Sequence, residues 1–302
     1  MTMSIVLTGV RTMLGDRNAP AHVRLARFVS VAVVVGLGTA TVVLALAERP
    51  MGDLRVYLAA ADRLAAGQPL YPSSDEPFNQ YWYSPWLAAA FIPLTLLPSS
   101  VVEIAWLVIL LAASAWVFVL LARLGPSGTL VAALVVPLLV GVAAGGNVQP
   151  LIVLALLLRS TRTDGPVWVG LAASLKIVPI LFVVVYLTER RWRAALVAMA
   201  VSAVLWAPAL PLGYTIDSLG SWDRFAPSLF GISPIAYVLV VSLAVASIAV
   251  VGARYRWLAA STAAVLALPR LFAYDVTLIG CGAVGAASGR LREPDVPRSP
   301  RS

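Results

Sequence analysis

Charge is what this sequence has least of. Asp, Glu, Lys and Arg make up 12% of its 302 residues, and 60% are hydrophobic. A soluble domain carries about 25% charged residues, so a water-soluble enzyme, a disordered chain and a nucleic-acid-binding domain are all excluded. Cysteine occurs once, at Cys281, which rules out an internal disulfide and a cysteine-built metal site. Histidine also occurs once, at His22 in the N-terminal segment, so a histidine metal site or general base is not expected. Lysine occurs once, at Lys176; the other basic residues are all arginine. What remains is an integral membrane protein with many spans.

The net charge of +8 at first suggests a polyanion partner. The arginines argue against nucleic acid, because they sit singly or in short clusters between apolar runs, where topology signals sit. The first run covers 29–47. Ala45-Leu46-Ala47 resembles a signal-peptidase site, but the run exceeds a signal-peptide core of about 7–15 residues, so an uncleaved anchor is expected. Further runs cover 85–98, 101–122, 129–145, 148–158, 166–188, 194–212, 234–252, 257–269 and 271–288. Several are short or hold proline. The expectation is an all-α polytopic protein of about eight to ten transmembrane helices.

A cytoplasmic N terminus with alternating spans puts 13 arginines inside and 8 outside, in the sense of the positive-inside rule. Arg123, Arg159 and Arg162 then fall outside. The expected organisation is a cytoplasmic segment 1–28, a membrane domain 29–288 whose first outer loop is 48–84, and a disordered cytoplasmic tail 289–302 rich in Arg, Pro and Ser.

Residues 48–84 are the longest polar interval. Gly52-Asp53 predicts a helix start with Asp53 as N-cap. Leu54, Tyr57, Leu58, Ala61, Leu64 and Ala65 recur at helical spacing, and Gly67 followed by Pro69 predicts the stop. An amphipathic helix over 53–66, lying along the outer membrane surface, is expected. Tyr81, Trp82, Tyr83 and Trp86 read most simply as an interfacial aromatic belt, with a sugar-stacking surface as the alternative. Asp53 is also a candidate general base, since partial desolvation raises a carboxyl pKa and lets it take a hydroxyl proton. Lys176 lies inside an apolar run, where a charge is a functional candidate by default; its plain alternative is a structural partner for a buried carboxylate such as Asp275. Arg270 is either a phosphate contact or a snorkelling anchor. Asp75-Glu76 and Asp223-Arg224 read as solvated loops.

These residues resemble a family. Gly52-Asp53, Tyr57, Ala66-Gly67, Leu70-Tyr71 and Tyr83-Ser84-Pro85 are similar to the first outer loop of the polyprenyl-phosphate-mannose-dependent mannosyltransferases of glycosyltransferase family 87. Gly146-Asn147-Val148-Gln149, the segment from Gly170 to Pro179, Pro269-Arg270 and Tyr274-Asp275 extend the resemblance over about 50–280. It implies a helical GT-C membrane fold with an outward-facing site and Asp53 as base. It implies a polyprenyl-phosphate sugar donor, met by Lys176 and Arg270, and a lipid-linked glycan acceptor. Tyr57, Tyr83, Asn147, Gln149, Tyr274 and Asp275 are the substrate-binding candidates. No cofactor and no obligatory metal are expected. A transporter or a catalytically inactive scaffold of the same fold is the competing reading.

Overall fold

A computed structural model describes residues 20–48, 51–71, 80–159, 164–214, 229–269 and 271–288. Every regular element among them is helical. The chain runs α1 (Ala21–Glu48), α2 (Gly52–Ala65), α3 (Pro85–Phe91) with a 3₁₀ continuation (Ile92–Leu96), α4 (Ser99–Ala122), α5 (Pro126–Ala144), α6 (Gln149–Leu158) and α7 (Gly165–Leu175). A 3₁₀ turn (Val178–Phe182) then leads into α8 (Val183–Thr188) and α9 (Trp192–Trp206). After α10 (Leu229–Ile232) come α11 (Pro234–Val250), α12 (Arg256–Leu266), a 3₁₀ turn (Ala273–Val276) and α13 (Thr277–Ser288).

The 21 prolines are compatible with so much helix because many sit where a helix tolerates them. Proline occupies the first turn of α3, α5, α6, α7 and α11, where no N–H is needed and its fixed φ suits the helix.

Ser99–Ala122, Ser127–Ala144 and Trp192–Ala209 are long and apolar enough to cross a membrane, and further apolar helices run 10–17 residues. The chain is a polytopic membrane protein. The exposed leucines, isoleucines and valines of α9 and α11, such as Leu196, Val204, Ile235, Val238 and Leu243, are the surface such a protein turns to lipid.

α6 and α7 are short and central. Ile152, Val153, Leu156 and Leu157 of α6 and Val169, Ala172 and Ala173 of α7 are buried. At the far end of α6, Arg159 is buried without a carboxylate partner among the described residues. Its guanidinium donates to the Leu156 and Cys281 carbonyls, at 2.9 and 3.3 Å, and lies 3.8 Å from the Trp257 ring centroid and 5.0 Å from that of Phe182.

Three expectations change here. The run 85–98 does not form one span: α3 and its 3₁₀ continuation end at Leu96 and α4 restarts at Ser99, the chain turning at Pro98. Its helical part, about 20 Å from α-helical and 3₁₀ rises, falls short of a hydrocarbon slab of about 30 Å. Arg159 sits over Trp257, which also packs on Tyr186, and Tyr186 carries Arg191. So Arg159 belongs to the arginine-rich end of the bundle, and so does Arg123 at the C-terminal end of α4. Alternating spans put Arg159 on the opposite side from Arg191, whereas the structure puts the two at the same end. Finally, Tyr81 and Tyr83 are buried, not an interfacial belt; they pack with Tyr57, Tyr71, Phe91 and Trp106 in one aromatic cluster. The N-terminal segment before Pro20, Asp75-Glu76, Arg162, Asp223-Arg224, Arg270 and the tail from Gly289 lie outside the described residues.

The helix expected over 53–66 is α2, Gly52–Ala65. It ends as expected at Gly67, whose φ is +67°. The Gly67 N–H reaches the Leu64 carbonyl and the Gln68 N–H the Arg63 carbonyl, a Schellman closure. Its apolar residues Leu54, Tyr57, Ala60 and Ala61 are fully buried in the protein core, so they are not available to a lipid surface. Its start differs from expectation. Met51, at φ +55°, is the N-cap residue, and Asp53 makes no cap bond. Instead the Met51 and Asp53 N–H groups donate to the Ala144 and Gly145 carbonyls at 3.1 and 2.9 Å. The free donors at the start of α2 thus meet the free acceptors at the end of α5. The turn after α5 approaches so closely that a Cβ on Gly146, at φ +84°, would lie 2.9 Å from both Leu54 N and Cβ.

Replacing Gly146 by Ala is therefore expected to lower stability by about 2 kcal/mol or more, from left-handed backbone strain plus a backbone clash. Gly67→Ala, with open space around the new methyl, should cost about 1 kcal/mol. Unfolding of the detergent-solubilised variants measures both; equal costs would contradict the close approach at Gly146.

Candidate active site

The start of α2, the turn between α5 and α6, the break after α7 and the 3₁₀ turn before α13 converge at one end of the bundle. Each brings polar groups that the surrounding apolar sequence does not supply.

Asp53 is in the first turn of α2 and half-buried. Asn147 Nδ2 donates to Asp53 Oδ2 at 2.9 Å and to the Tyr83 hydroxyl at 3.3 Å. The Gln149 N–H donates to Asn147 Oδ1 at 2.9 Å. Tyr57, one turn beyond Asp53, accepts from the Val148 N–H at 3.4 Å and packs edge-on against Tyr83 at 5.0 Å.

Lys176 ends α7 in an extended conformation, three residues before Pro179. The break suits a proline that removes a donor and crowds the preceding turn. It frees Lys176 Nζ to meet Asp275 Oδ1 at 2.5 Å and Gln149 Oε1 at 3.3 Å, while sitting 5.0 Å from the Tyr274 ring centroid. Asp275 Oδ2 accepts from the Phe272 N–H at 2.9 Å. Gln149 Nε2 donates to Thr277 Oγ1 at 3.2 Å. Every candidate within the described residues is therefore in this cluster: Asp53, Tyr57, Tyr83, Asn147, Gln149, Lys176, Tyr274 and Asp275. Arg270, two residues before Phe272, is not described.

Electrostatics separates the two carboxylates. The Asp275 side chain is 0% exposed and already paired, whereas that of Lys176 is 20% exposed. Asp275 is thus a partner for Lys176 and is not open to a substrate. Burial raises the Asp53 pKa above the ordinary carboxylate value, opposed by the Asn147 hydrogen bond and by the charge of Lys176. Burial also drives the Tyr57 and Tyr83 hydroxyls well above their usual pKa, so neither ionises near neutrality. Of the two carboxylates in the cluster, Asp53 is the one that is only half-buried and not paired with the lysine. No group of three or more His, Cys, Asp or Glu suited to a metal occurs among the described residues.

Sequence reasoning missed three supports. Trp106 Nε1 donates to the Gly146 carbonyl at 2.7 Å, Trp86 Nε1 to Ser174 Oγ at 2.9 Å, and Thr277 anchors Gln149. A tryptophan or threonine within an apolar helix carries no spacing signal that marks such a role.

The model of glycosyltransferase family 87 matches residues 81–299. The chain belongs to glycosyltransferase family 87. The match takes in Tyr83, Asn147, Gln149, Lys176, Tyr274 and Asp275 and begins after Asp53. A relative in Mycolicibacterium smegmatis, a polyprenol-phosphate-mannose-dependent alpha-(1-2)-phosphatidylinositol pentamannoside mannosyltransferase, is 33% identical over 200 residues. The aligned part is 58% of this chain and 48% of the relative, so the chain spans about half the length of that curated protein. No solved structure matches.

Lys176→Met leaves a fully buried Asp275 uncompensated and is expected to cost about 3 kcal/mol of stability. Lys176→Met with Asp275→Asn should recover most of it, because both charges are then gone. Denaturation of single and double variants reads the coupling; additive losses would show that the pair is not the structural unit described.

Proposed function

We propose that this family 87 chain transfers a hexose, specifically mannose, from a polyprenyl-phosphate carrier to a hydroxyl of a lipid-linked glycan acceptor. The observation that carries this reading is Asp53, half-buried, with one oxygen held by Asn147 and the other without a hydrogen-bond partner among the described residues. The donor class rests on the name of the mycobacterial relative. Asp53 takes the proton of the acceptor hydroxyl as its oxygen bonds to the anomeric carbon. The bond from that carbon to the phosphate oxygen breaks, and the lipid phosphate leaves with the electron pair. The leaving charge is met by cations preorganised nearby, for which Lys176 and Arg270 are the candidates.

Arginine placement supports the sidedness. The end opposite the site carries Arg123, Arg159, Arg190, Arg191, Arg193, Arg254 and Arg256. Cationic loops are retained in the cytoplasm, which supports a site on the outer face of a bacterial cytoplasmic membrane and a cytoplasmic N terminus. With that orientation the chain divides into a cytoplasmic segment 1–28, a membrane domain 29–288 and a cytoplasmic tail 289–302.

Purified protein supplied with polyprenyl-phosphate mannose and membrane lipid acceptors tests the chemistry. Asp53→Asn should lower transfer at least about 100-fold, the usual worth of a positioned base. Wild-type transfer should fall as pH drops through the raised Asp53 pKa, since only the carboxylate accepts a proton. Unchanged transfer by Asp53→Asn removes Asp53 as base, and no transfer from any polyprenyl-linked sugar favours a transporter or an inactive scaffold.

Sidedness is read separately. A Ser74→Cys variant should react with an impermeant maleimide from outside intact cells, against little background because Cys281 is buried. Labelling solely from the cytoplasmic side would reverse the orientation.

A further inference from the structure

Asn147 stands in the sequence as a substrate-binding candidate, yet its geometry fits another task. It is 3% exposed, and its amide is engaged on both sides. Oδ1 accepts from the Gln149 N–H, a group that can only donate, and this fixes which way the amide points. Nδ2 therefore faces Asp53 Oδ2 and the Tyr83 hydroxyl. Little of the residue is left to touch a sugar.

We propose that Asn147 is a positioning residue, clamping Asp53 Oδ2 so that Oδ1 is presented to the acceptor hydroxyl. The proposal rests on Asp53 acting as base. The clamp is strong for its size, because a hydrogen bond to an ionised carboxylate exceeds a neutral one. It is also rigid. The turn that carries Asn147 is docked on α2 by the Met51 and Asp53 amides, and Trp106 Nε1 holds the Gly146 carbonyl. The same turn reaches the cation, because Gln149 Oε1 accepts from Lys176. Residues 147–149 thus fix the separation between the group that takes the proton and the group that faces the leaving phosphate.

The charged and titratable groups around Asp53 come from every packed element. Tyr57 lies on its own helix, Tyr83 precedes α3, Lys176 follows α7, and Tyr274 and Asp275 lie on the 3₁₀ turn before α13. Of these, Lys176 alone favours the ionised form of Asp53, together with the Asn147 hydrogen bond. Removing the Asn147 donor leaves Lys176 to do so alone.

The test uses the full chain in detergent and a readout that does not depend on transfer. Dicyclohexylcarbodiimide reacts with protonated carboxyl groups, so peptide mass spectrometry of Asp53 against pH gives its titration midpoint. Asn147→Ala should raise that midpoint by about one pH unit, the loss of one hydrogen bond to a charged group. Asn147→Asp, which sets a second carboxylate beside the first, should raise it further. If Asn147→Ala does not fold, Asn147→Asp is compared with Asn147→Ser by the same labelling, and the aspartate must titrate higher. In transfer assays kcat should fall with little change in donor KM, and the deficit of Asn147→Ala should shrink as pH rises. An unmoved midpoint overturns the proposal, as does a raised KM with an unmoved pH profile, which would make Asn147 a substrate contact. A shifted midpoint alongside a fully active Asp53→Asn overturns the base reading alone, so the two failures are distinguishable.

Discussion

The site depends on one helix end resting on another. The first amides of α2 have no partners within their own helix, and the last carbonyls of α5 are equally orphaned. Met51 and Asp53 join the two sets, and Gly146 allows the approach because it has no side chain. A buried unpaired backbone group costs about as much as a lost hydrogen bond, so each end holds the other in place. Asp53 is thereby held on a backbone fixed at the level of the turn that carries its partner. The aromatic cluster of Tyr57, Tyr83, Phe91 and Trp106 packs against this junction and excludes water from one side of it.

The second constraint is electrical. Asp53, Asp275 and Lys176 bring two negative charges and one positive into an apolar bundle. Asp275 is wholly buried and spends its oxygens on Lys176 and the Phe272 amide. It orients the lysine while making no contribution of its own at the surface. Lys176, partly exposed, keeps one side toward the opening. The pair is thus a mounted cation with its counter-charge set behind it.

Much of this was legible from residues that looked out of place. Gly52-Asp53 with helical spacing behind it marked α2 to within a residue, and Gly67 marked its end. A lysine and an aspartate stranded in apolar runs, 99 residues apart, pointed to each other and do pair. What misled was tertiary. Asp53 looks like a cap because side-chain chemistry is local, whereas the acceptors that cap α2 come from α5. Tyr81 and Tyr83 look like an interfacial belt because composition does not distinguish a protein-lined surface from a lipid-lined one. Counting each apolar run as one span separates Arg159 from Arg191, because run length does not reveal the turn at Pro98 or the break at Lys176. Trp106 and Thr277 offered no pattern at all.

The brevity of α6 has a consequence for depth. Its 10 residues measure about 15 Å, half of a hydrocarbon slab of about 30 Å, and it lies in the bundle's centre. By itself it is too short to span such a slab. At its far end the chain does not carry Arg159 out to water, and the side chain is buried in the protein. Its resort to two aromatic faces and two carbonyls is how a guanidinium is accommodated at that level.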